Sequence, residues 1–341
     1  MHTVGIVGGS GYTGAELLRL LAGHPDLEVA WATADTKAGT EVGGLYPSLA
    51  ATYAGLAFVP WSPELVTGVD AVFLALPHGA SQAIVPTLLE AGVAVVDLAA
   101  DFRLLDASAY ERWYGEAHTA PELLGRLAYG LPELNREAIA KADGVAAAGC
   151  YPTAAALALA PLVRSGVLEA TGIVVDAASG VSGAGRALRH TSHFGTVNED
   201  FVAYGLLGHR HTPEIEQAVG ASVLFTPHLA PMTRGILATC YARPAGGAGP
   251  TSTDGLLAAL AEAYAGEPFV VVSPASPSTK ATWGSNCAHL TARYDERTGW
   301  VVVLCALDNL VKGASGQALQ CANLLLGLDE TAGLPTVGVY P

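Results

Sequence analysis

The sequence predicts an α/β protein with two parts: a doubly wound parallel sheet domain and an α+β domain with a mixed or antiparallel sheet. Three observations support this fold class. The chain has 341 residues, which is too many for one ordinary hydrophobic core. Short apolar runs alternate with helical runs as far as about residue 149, whereas longer β-like runs dominate afterwards. About half of the residues are apolar and only 14% are charged, so both parts can fill a folded interior.

The first part shows a regular strand and helix alternation. The run "HTVGIVG" is followed by the helical "GAELLRLLAGH" and by "LEVAWAT", and later come "DAVFLALP", the helical "SQAIVPTLLEAG" and "VAVVDLA". Continuous apolar strands separated by amphipathic helices are typical of a parallel sheet that is covered on both faces. We therefore expect a Rossmann-like domain over residues 1–149.

The second part opens with the helical run "TAAALALAPLVRSG" and continues mainly with β-like segments. These are "GIVVDAAS", "SVLFTPH", "GILATCYARP", "FVVVS", "CAHLTARYD" and "WVVVLCAL", with a further helix at "TDGLLAALAEAYAG". Such runs indicate an antiparallel or mixed sheet over residues 150–312. We interpret the Gly/Pro segment at 242–253 as a surface loop within this domain. The final stretch, which includes "GASGQALQCANLLLGL", is predicted to be a C-terminal helix (313–341) that completes the first domain.

Charge and cysteine usage exclude several classes of protein. The net charge of −14 and the pI near 5.0 argue against nucleic acid or an anionic membrane as the main partner. The N-terminal "MHTVGIVGGSG" lacks the pattern of a secretory leader, and no apolar run approaches the ~20 residues that span a bilayer. The five cysteines are scattered and lack zinc-site spacing, so we expect no metal, reduced thiols and a cytoplasmic protein. Cys240, Cys287 and Cys305 lie in apolar runs and are predicted to be buried.

A glycine-rich turn directly follows the first predicted strand. Gly8, Gly11 and Gly14 form the pattern G-x-x-G-x-x-G, and a helix begins within it. Glycines at such a turn allow a pyrophosphate to reach the free N–H groups of the helix N-terminus. The strand-turn-helix context favours dinucleotide binding over a plain glycine-rich turn. We assign Gly8, Gly11 and the intervening or following Ser10, Tyr12 and Thr13 to the cofactor.

The end of the second strand indicates which dinucleotide is bound. NAD enzymes usually place a carboxylate there for the ribose hydroxyls, whereas a ribose phosphate needs that charge absent and donors nearby. Here the strand ends at Thr33 and Lys37 follows, which favours NADP. Asp35 lies between them and weakens this preference. The alternative is that these residues line a solvated loop.

Cys150 is the candidate nucleophile. It directly precedes a helix in "AAGCYPTAAALALAPLV", where Pro152 suits a first helical turn. The positive end of a helix dipole favours a thiolate, which is a better nucleophile than a thiol. A small buried cysteine is the alternative, but Cys150 lies at the predicted junction of a cofactor domain and a second domain.

A proton-transfer group is predicted in "GHRHTPEI", which places His209 and His211 beside Arg210 and Glu214. This density of titratable groups is difficult to explain by packing alone. His190 and His193 are weaker candidates. His78 in "LPHG", with its neighbour Pro77, is expected to line the cofactor crevice.

Cations for an anionic substrate are few. Arg103, Arg186, Arg234 and Lys312 lie in predicted loops or at the ends of elements, and ordinary surface salt bridges are the alternative role for each. We assign Arg103, Arg186 and Arg234, together with His209, to the substrate. The backbone of "SGVSGAG" at 179–185 can form an anion-holding nest, and we assign Ser182 and Gly183 in it to the cofactor.

Taken together, these residues resemble the N-acetyl-gamma-glutamyl-phosphate reductases of arginine biosynthesis, which are relatives of aspartate-semialdehyde dehydrogenase. The resemblance runs along the whole chain in nine segments: "GGSGYTGAELLRLL", "ALPHG", "DLAADFRL", "YGLPELNR", "GCYPTAA", "SGVSGAGR", "GHRHTPEI", "PMTRGI" and "DNLVKGASGQALQ". The chain departs from the family pattern at Ala148, where a proline usually precedes the Gly-Cys pair, and at Asp35, where a basic residue is common.

The resemblance implies the chemistry and the residue roles. Cys150 would be the nucleophile and His211 the acid/base in an NADPH-dependent reduction of N-acetyl-glutamyl 5-phosphate to the 5-semialdehyde and phosphate, through a cysteine thioester. It also implies a homo-oligomer, either a dimer or a tetramer, which acts on a small-molecule substrate.

Two other functions stay open at this point. One is a reductase of lysine biosynthesis that acts on an aminoadipyl phosphate carried by a small protein, and the other is a non-catalytic nucleotide-sensing regulator. The tripeptide Tyr151–Pro152–Thr153 after the nucleophile and the absence of a Lys/Arg cluster for an acidic carrier favour the free substrate. A regulator would give no reason for both the thiol and the histidines.

Overall fold

A computed structural model of the chain describes residues 1–246 and 252–340. Its contacts divide the chain into two compact units. The first comprises Met1–Ala148 and Ala314–Leu334, and the second comprises Gly149–Gly313 and Pro335–Pro341. Residues 247–251 of the predicted loop at 242–253 lie outside the described residues.

The strands, in chain order, are β1 (His2–Val7), β2 (Leu27–Ala32), β3 (Ala71–Leu74), β4 (Ala94–Asp97), β5 (Ala128–Gly130), β6 (Gly144–Ala147), β7 (Ile173–Gly180), β8 (Val202–Ala203), β9 (Val223–Ala230), β10 (Ile236–Ala242), β11 (Val270–Val272), β12 (Ala288–Asp295) and β13 (Trp300–Leu307).

The helices, in chain order, are α1 (Tyr12–Leu21), α2 (Val42–Leu45), α3 (Val85–Glu90), α4 (Ala107–Tyr114), α5 (Pro132–Ile139), α6 (Cys150–Arg164), α7 (Phe194–Val197), α8 (Thr212–Val219), α9 (Thr253–Ala263) and α10 (Gly316–Leu325). Short 3-10 turns lie at Pro47–Leu49, Pro63–Val66, Ser81–Ala83, Pro121–Leu123, Val181–Ala184, His190–Ser192 and Thr279–Thr282, and a π-helical turn at Val311–Ser315.

The first unit is built on a six-stranded sheet in the order β2-β1-β3-β4-β6-β5, and every neighbouring pair is parallel. β3 and β6 are buried along their whole length, as the continuous apolar runs predicted. The chain leaves β1 towards β2 on one side and later returns to β3 on the other. The order therefore reverses between β1 and β3, and the carboxyl ends of these two strands flank the position where such folds bind ligands.

The second unit contains a seven-stranded mixed sheet in the order β11-β12-β13-β10-β7-β9-β8. The pairs β7·β9 and β11·β12 are parallel, and the other four are antiparallel. Burial alternates along β7 and β10, so one face of the sheet carries the core. α6 packs on this face beside α8, and eleven of its fifteen residues are buried. Both the parallel sheet and the mixed sheet confirm the predicted fold class.

The C-terminal helix is shorter than the predicted segment 313–341. α10 ends at Leu325, and its buried residue Cys321 packs with Ile139 and Val145 in the core of the first unit. After Leu334 the chain lies with the second unit, because the Asn286 N–H donates to the Pro335 carbonyl at 2.8 Å and further bonds follow along the segment. The prediction for residues 335–340 is therefore wrong: backbone hydrogen bonding, which leaves no trace in the sequence pattern, decides where they lie.

The five cysteines are thiols, and none of them forms a disulfide in the described residues. Cys240, Cys287 and Cys305 are buried, as predicted, and Cys321 is buried as well, whereas Cys150 is partly accessible. In the described part of the chain, no helix is long and apolar enough to cross a membrane.

Candidate active site

The turn between β1 and α1 has the geometry of a dinucleotide-binding turn. Gly8 has a φ of +85°, and a side chain there would collide with the backbone carbonyl of Ala75 after β3. A β-carbon at Gly14 would lie 2.6 Å from the Gly8 carbonyl oxygen and from the Gly9 Cα, so only glycine lets α1 begin this close to the turn. Gly11 precedes α1 with an extended backbone and no side-chain cap. The residues present therefore fit a bound pyrophosphate.

Thr33 supports this turn from beneath. Its hydroxyl accepts a hydrogen bond from the Gly8 N–H at 3.3 Å, and its carbonyl accepts one from the Gly9 N–H at 2.8 Å. Thr33 is buried, whereas Asp35 is exposed and Lys37 is half-buried. The side chain of Thr33 therefore shapes the turn, and the polar groups at the end of β2 that can meet a ribose phosphate are those of the following loop.

Other predicted cofactor residues also lie around this edge of the first sheet. Ser10 offers its carbonyl to the Tyr46 hydroxyl at 2.8 Å, and Thr13 offers its carbonyl to the Ser315 hydroxyl at 2.8 Å. Tyr12 is exposed at the start of α1. Pro77 is exposed in the turn that follows β3, next to the carbonyl that Gly8 approaches. The first unit thus gathers these predicted positions at the carboxyl ends of β1 and β3.

Cys150 is the first residue of α6 in the second unit. Gly149 caps the helix with an extended backbone, and its N–H donates to the Glu214 carboxylate at 2.8 Å. Glu214 is buried in the first turn of α8, so this bond ties the residue before the thiol to a second helix. On another side, a β-carbon built at Gly313 would lie 2.8 Å from the Cys150 Cβ. The Cys150 backbone is therefore restrained from two sides at the N-terminus of α6.

His209 and His211 lie together beside the residue that follows the thiol. Their ring centroids are 4.9 Å apart, and the centroid of the Tyr151 ring is 5.8 Å from that of His209 and 6.0 Å from that of His211. His211 is the residue before α8, and its backbone N–H donates to the Nδ1 of His209 at 3.1 Å.

The protonation state of His209 follows from these contacts. Burial, with a smaller contribution from the Arg210 charge, lowers the pKa of His209 to about 4, so the ring is neutral near pH 7. Because Nδ1 accepts the backbone hydrogen bond, the single ring proton is on Nε2. His209 therefore presents a hydrogen-bond donor, and a fixed one.

Two tyrosines border the same place. The Tyr151 hydroxyl donates to the His228 carbonyl at 3.0 Å, and the Tyr204 hydroxyl donates to the Tyr151 oxygen at 3.2 Å. Burial is the largest cause that raises the pKa of both hydroxyls, that of Tyr204 to about 12, and the negative charge of a Cys150 thiolate adds to each shift. Both tyrosines are therefore neutral hydrogen-bond donors near pH 7, close enough to Cys150 for its charge to affect their pKa values.

Arg234 is anchored near a second polar group of this unit. Its guanidinium lies 3.4 Å from the carboxylate of the buried Asp308. The adjacent Asn309 accepts the Gly235 N–H at 2.7 Å and donates to the Ser182 hydroxyl at 3.0 Å. Asp308 and Asn309, which directly follow β13, therefore fix Arg234 and the glycine-rich 3-10 turn Val181–Ala184, which contains the predicted Ser182 and Gly183.

The remaining predicted cations have different surroundings. Arg103 is buried in the first unit and donates to the Leu98 carbonyl at 2.7 Å. Arg186 is half-buried after the 3-10 turn of the second unit, and Lys312 is fully buried with its ammonium 5.9 Å from the centroid of the Phe269 ring. His190 and His193 are exposed. His190 begins the 3-10 turn His190–Ser192 and His193 directly follows it, so both lie in a segment separate from that of His209 and His211.

Several residues of these sites were not found by sequence reasoning. Tyr204, Gly313 and Asp308 belong to no local motif that predicts a role for them. Tyr204 lies just before the histidine segment in "AYGLLGHRH", and Asp308 and Gly313 lie at the two ends of "DNLVKG". No group of three or more His, Cys, Asp or Glu side chains arranged to hold a metal ion occurs within residues 1–246 and 252–340.

Comparison with known proteins agrees with this geometry. Residues 3–142 match the family described as semialdehyde dehydrogenase, NAD binding domain, and residues 150–309 match semialdehyde dehydrogenase, dimerisation domain. Proteins named N-acetyl-gamma-glutamyl-phosphate reductase are similar over the full length. That of Symbiobacterium thermophilum is 51% identical over 99% of both chains, and those of Desulforudis audaxviator and Azotobacter vinelandii are 51% and 49% identical over 100% of both.

Solved structures share the fold. Aspartate semialdehyde dehydrogenase II from Vibrio cholerae aligns with a TM-score of 0.71 at 19% identity, over 96% of this chain and 99% of that one. The aspartate semialdehyde dehydrogenase with NADP from Candida albicans aligns with a TM-score of 0.71 at 17% identity, over 96% and 98%.

Proposed function

The chain belongs to the N-acetyl-gamma-glutamyl-phosphate reductase family, and we propose that its reaction proceeds through a thioester on Cys150. The enzyme reduces N-acetyl-glutamyl 5-phosphate with NADPH to N-acetylglutamate 5-semialdehyde and phosphate, a step of arginine biosynthesis. One observation carries the assignment of the nucleophile. Within residues 1–246 and 252–340, Cys150 is the only cysteine that is not buried, and it begins a helix beside the paired histidines.

The residues that would hold the cofactor are those of the turn from Gly8 to Thr13, with Thr33 beneath it and Lys37 beyond the end of β2. When bound, NADPH supplies the hydride that reduces the thioester carbon. The close approach of Gly14 to Gly8 supports this placement, because it leaves the N–H groups of the first turn of α1 open to a phosphate.

Cys150 opens and closes the cycle. Its thiolate attacks the acyl carbon, the carbon–oxygen bond to phosphate breaks, and phosphate leaves with the bonding electrons. After reduction of the thioester carbon, the bond from carbon to sulfur breaks and the Cys150 thiolate is restored. The position at the N-terminus of α6 supports both roles, since the helix dipole stabilises the sulfur anion as attacking group and as leaving group.

The paired histidines handle the oxygen of the reacting carbonyl. We assign to His211 the transfer of a proton to this oxygen as it gains charge, and its removal as the aldehyde forms. His209 acts on substrate as a neutral donor through its Nε2–H. The hydrogen bond between the His211 N–H and His209 Nδ1 supports this division, because it fixes the orientation of the donor.

Substrate charge is matched by arginines. Arg234 is the candidate with the clearest support, because Asp308 and Asn309 hold its loop and only 22% of its side chain is exposed. A forked guanidinium suits a carboxylate or a phosphate and also orients it. Arg186 and Arg103 remain further candidates on the second and first units respectively.

A direct assay distinguishes this function from the alternatives. The purified protein is given N-acetylglutamate semialdehyde, phosphate and NADP, and in parallel aminoadipate semialdehyde linked to its carrier protein. We expect efficient oxidation of the free N-acetylated compound. Oxidation of the carrier-linked compound alone would reassign the substrate, and turnover of neither by protein that still binds NADPH would favour a regulator.

We also propose a homo-oligomer in the cytoplasm. The match of residues 150–309 to a dimerisation domain supports oligomerisation, as do the exposed apolar side chains of the segment 188–207, among them Leu188, Phe194 and Leu207. The five cysteines, none of which forms a disulfide in the described residues, support a reducing compartment. Light scattering of the eluted protein gives the oligomeric state, and a monomer at micromolar concentration would contradict the first of these proposals.

A further inference from the structure

A buried polar cluster ties the turn after β3 to the loop after β4 in the first unit. The Ser81 hydroxyl lies 2.7 Å from an Asp101 oxygen and 3.0 Å from an Asp97 oxygen. All three side chains are fully buried. Asp97 is the last residue of β4, so the cluster sits at the carboxyl edge of the sheet, on the same side as the turn that holds Gly8.

Asp101 accepts three hydrogen bonds and makes one further close contact, with His78. One of its oxygens accepts the Gly79 N–H at 2.7 Å and faces the Nδ1 of His78 at 2.5 Å. The other accepts the Ser81 N–H at 3.1 Å and the Ser81 hydroxyl at 2.7 Å. Donors from Gly79 and Ser81 point at both oxygens, as at an ionised carboxylate, since a protonated carboxyl would point its own hydrogen at one of these donors.

The proton count then decides the state of Asp97. A serine hydroxyl has one hydrogen, and the shorter contact commits that of Ser81 to Asp101. The contact of 3.0 Å between Ser81 and Asp97 is a hydrogen bond only if Asp97 supplies the proton. The other Asp97 oxygen accepts a hydrogen bond from the Ala99 N–H at 2.9 Å. The carboxylic hydrogen is therefore on the oxygen that faces Ser81.

We infer that Asp97 is a neutral carboxylic acid at physiological pH, and that the chain Asp97 to Ser81 to ionised Asp101 positions the turn 77–81 for cofactor binding. This inference rests on the proposed function only in its last step, the identity of the cofactor. Asp97, Ser81 and Asp101 are positioning residues, because they act through the turn and not on reacting atoms.

The electrostatic surroundings agree with the proton count. Burial, reinforced by the nearby charge of Asp101, raises the pKa of Asp97 to about 8, although the hydrogen bond from the Ala99 N–H, the contact with Ser81 and the charge of Arg103 oppose the shift. Burial also disfavours the charge of Asp101, but His78, Gly79 and Ser81 outweigh it and hold the pKa of Asp101 below its usual value. The two carboxyls therefore differ in charge, as like groups in close contact do.

The position of the turn gives the cluster its role. The turn begins after β3, where the Ala75 carbonyl lies against Gly8, so it forms one wall of the region between the carboxyl ends of β1 and β3. Its His78 ring packs against Tyr114 with centroids 4.1 Å apart. Loss of the Asp101 charge would release His78, Gly79 and Ser81 together.

The first arm of the test compares two matched amide variants by titration of NADPH fluorescence. In Asp97→Asn, the side-chain N–H₂ replaces the carboxylic hydrogen towards Ser81 and the amide oxygen still accepts the Ala99 N–H, so the NADPH Kd is expected to stay within about twofold of wild type. In Asp101→Asn, an N–H₂ faces other donors, and the Kd is expected to rise about tenfold or more. Equal weakening by both variants would overturn the inference.

The second arm measures the proton itself. At about pH 6, the infrared difference spectrum of wild type minus Asp97→Asn should contain the carbonyl band of a protonated carboxylic acid, and this band should disappear as the pH rises through about 8. The absence of such a band would overturn the inference even if Asp101→Asn fails to fold.

The third arm follows stability against pH. A carboxyl whose folded pKa is raised from 3.8 to about 8 loses its contribution to the free energy of unfolding as the pH rises between these values. The Tm of Asp97→Asn relative to wild type should therefore increase from about pH 4 to about pH 8 and then level off. A constant difference in Tm would contradict a neutral Asp97. None of these readouts requires turnover of an acyl phosphate, so a failed reductase assay leaves the inference standing.

Discussion

Gly313 packs so closely on Cys150 that a β-carbon at position 313 would lie 2.8 Å from the Cys150 Cβ and 3.2 Å from its Cα. We expect Gly313→Ala to displace the start of α6 and with it the sulfur. A misplacement of about 1 Å can cost on the order of a hundredfold in rate, so kcat should fall by about that factor. Steady-state kinetics with the free substrate measures it.

A matched control exists in the same unit. Gly195 lies in the exposed helix α7, where an added β-carbon meets no atom within 4 Å. Gly195→Ala should leave kcat unchanged, and NADPH should bind both variants with the affinity of wild type. Full activity of Gly313→Ala would show that the sulfur tolerates movement and that the contact is only packing.

Alkylation should select one thiol. Cys150 is partly accessible at a helix N-terminus, whereas Cys240, Cys287, Cys305 and Cys321 are buried. Burial also raises the pKa of Cys240 to about 12 and raises that of Cys287, which keeps both as unreactive thiols. Iodoacetamide at neutral pH should label Cys150 first, with activity lost in parallel. Peptide mass spectrometry that finds another cysteine labelled at the same rate would contradict this picture.

The loop after β2 should set the preference for NADPH over NADH. Lys37 is half-buried there, Asp35 is exposed, and the Thr33 side chain is committed to the Gly8 N–H. Lys37→Ala is expected to lower kcat/KM with NADPH by about twofold to fivefold and to leave kcat/KM with NADH unchanged, because one partly exposed charge contact is lost. Asp35→Arg should change the ratio in the opposite direction. Equal effects on both cofactors would mean that the loop does not contact the ribose phosphate.

The neutrality of His209 predicts a pH dependence of stability. Its pKa is lowered from 6.5 to about 4, so the folded state resists the proton that the unfolded state takes up. The contribution to stability is complete above about pH 6.5 and is lost as the pH falls towards 4. As the pH falls from about 6.5 to about 4, the Tm of wild type should therefore decrease more than the Tm of His209→Gln. Parallel Tm curves for the two proteins would contradict a neutral His209.

Local patterns were sufficient to predict the parallel sheet, the glycine turn and Cys150 at a helix start. Each depends on short-range chemistry: apolar continuity in β3, glycine at the close approach of Gly8 and Gly14, and a proline in the first turn of α6. The pair His209 and His211 was found because both lie within one short segment.

The rest depends on contacts between distant parts of the chain. The approach of Gly313 to Cys150 and the bond from Gly149 to Glu214 join segments that no periodicity relates. The same holds for the proton shared between Ser81 and Asp97, because the sequence shows two ordinary aspartates and only their burial makes one of them neutral.

The thioester on Cys150 is tested most directly by mass spectrometry of the acyl-enzyme. The protein is mixed with N-acetyl-glutamyl phosphate without NADPH, quenched in acid and digested, while released phosphate is counted. We predict about one N-acetylglutamyl group per chain on the peptide that contains Cys150, about one equivalent of phosphate, and neither in Cys150→Ser. An unmodified Cys150 with full turnover when NADPH is added, or the same adduct in the serine variant, would contradict the account.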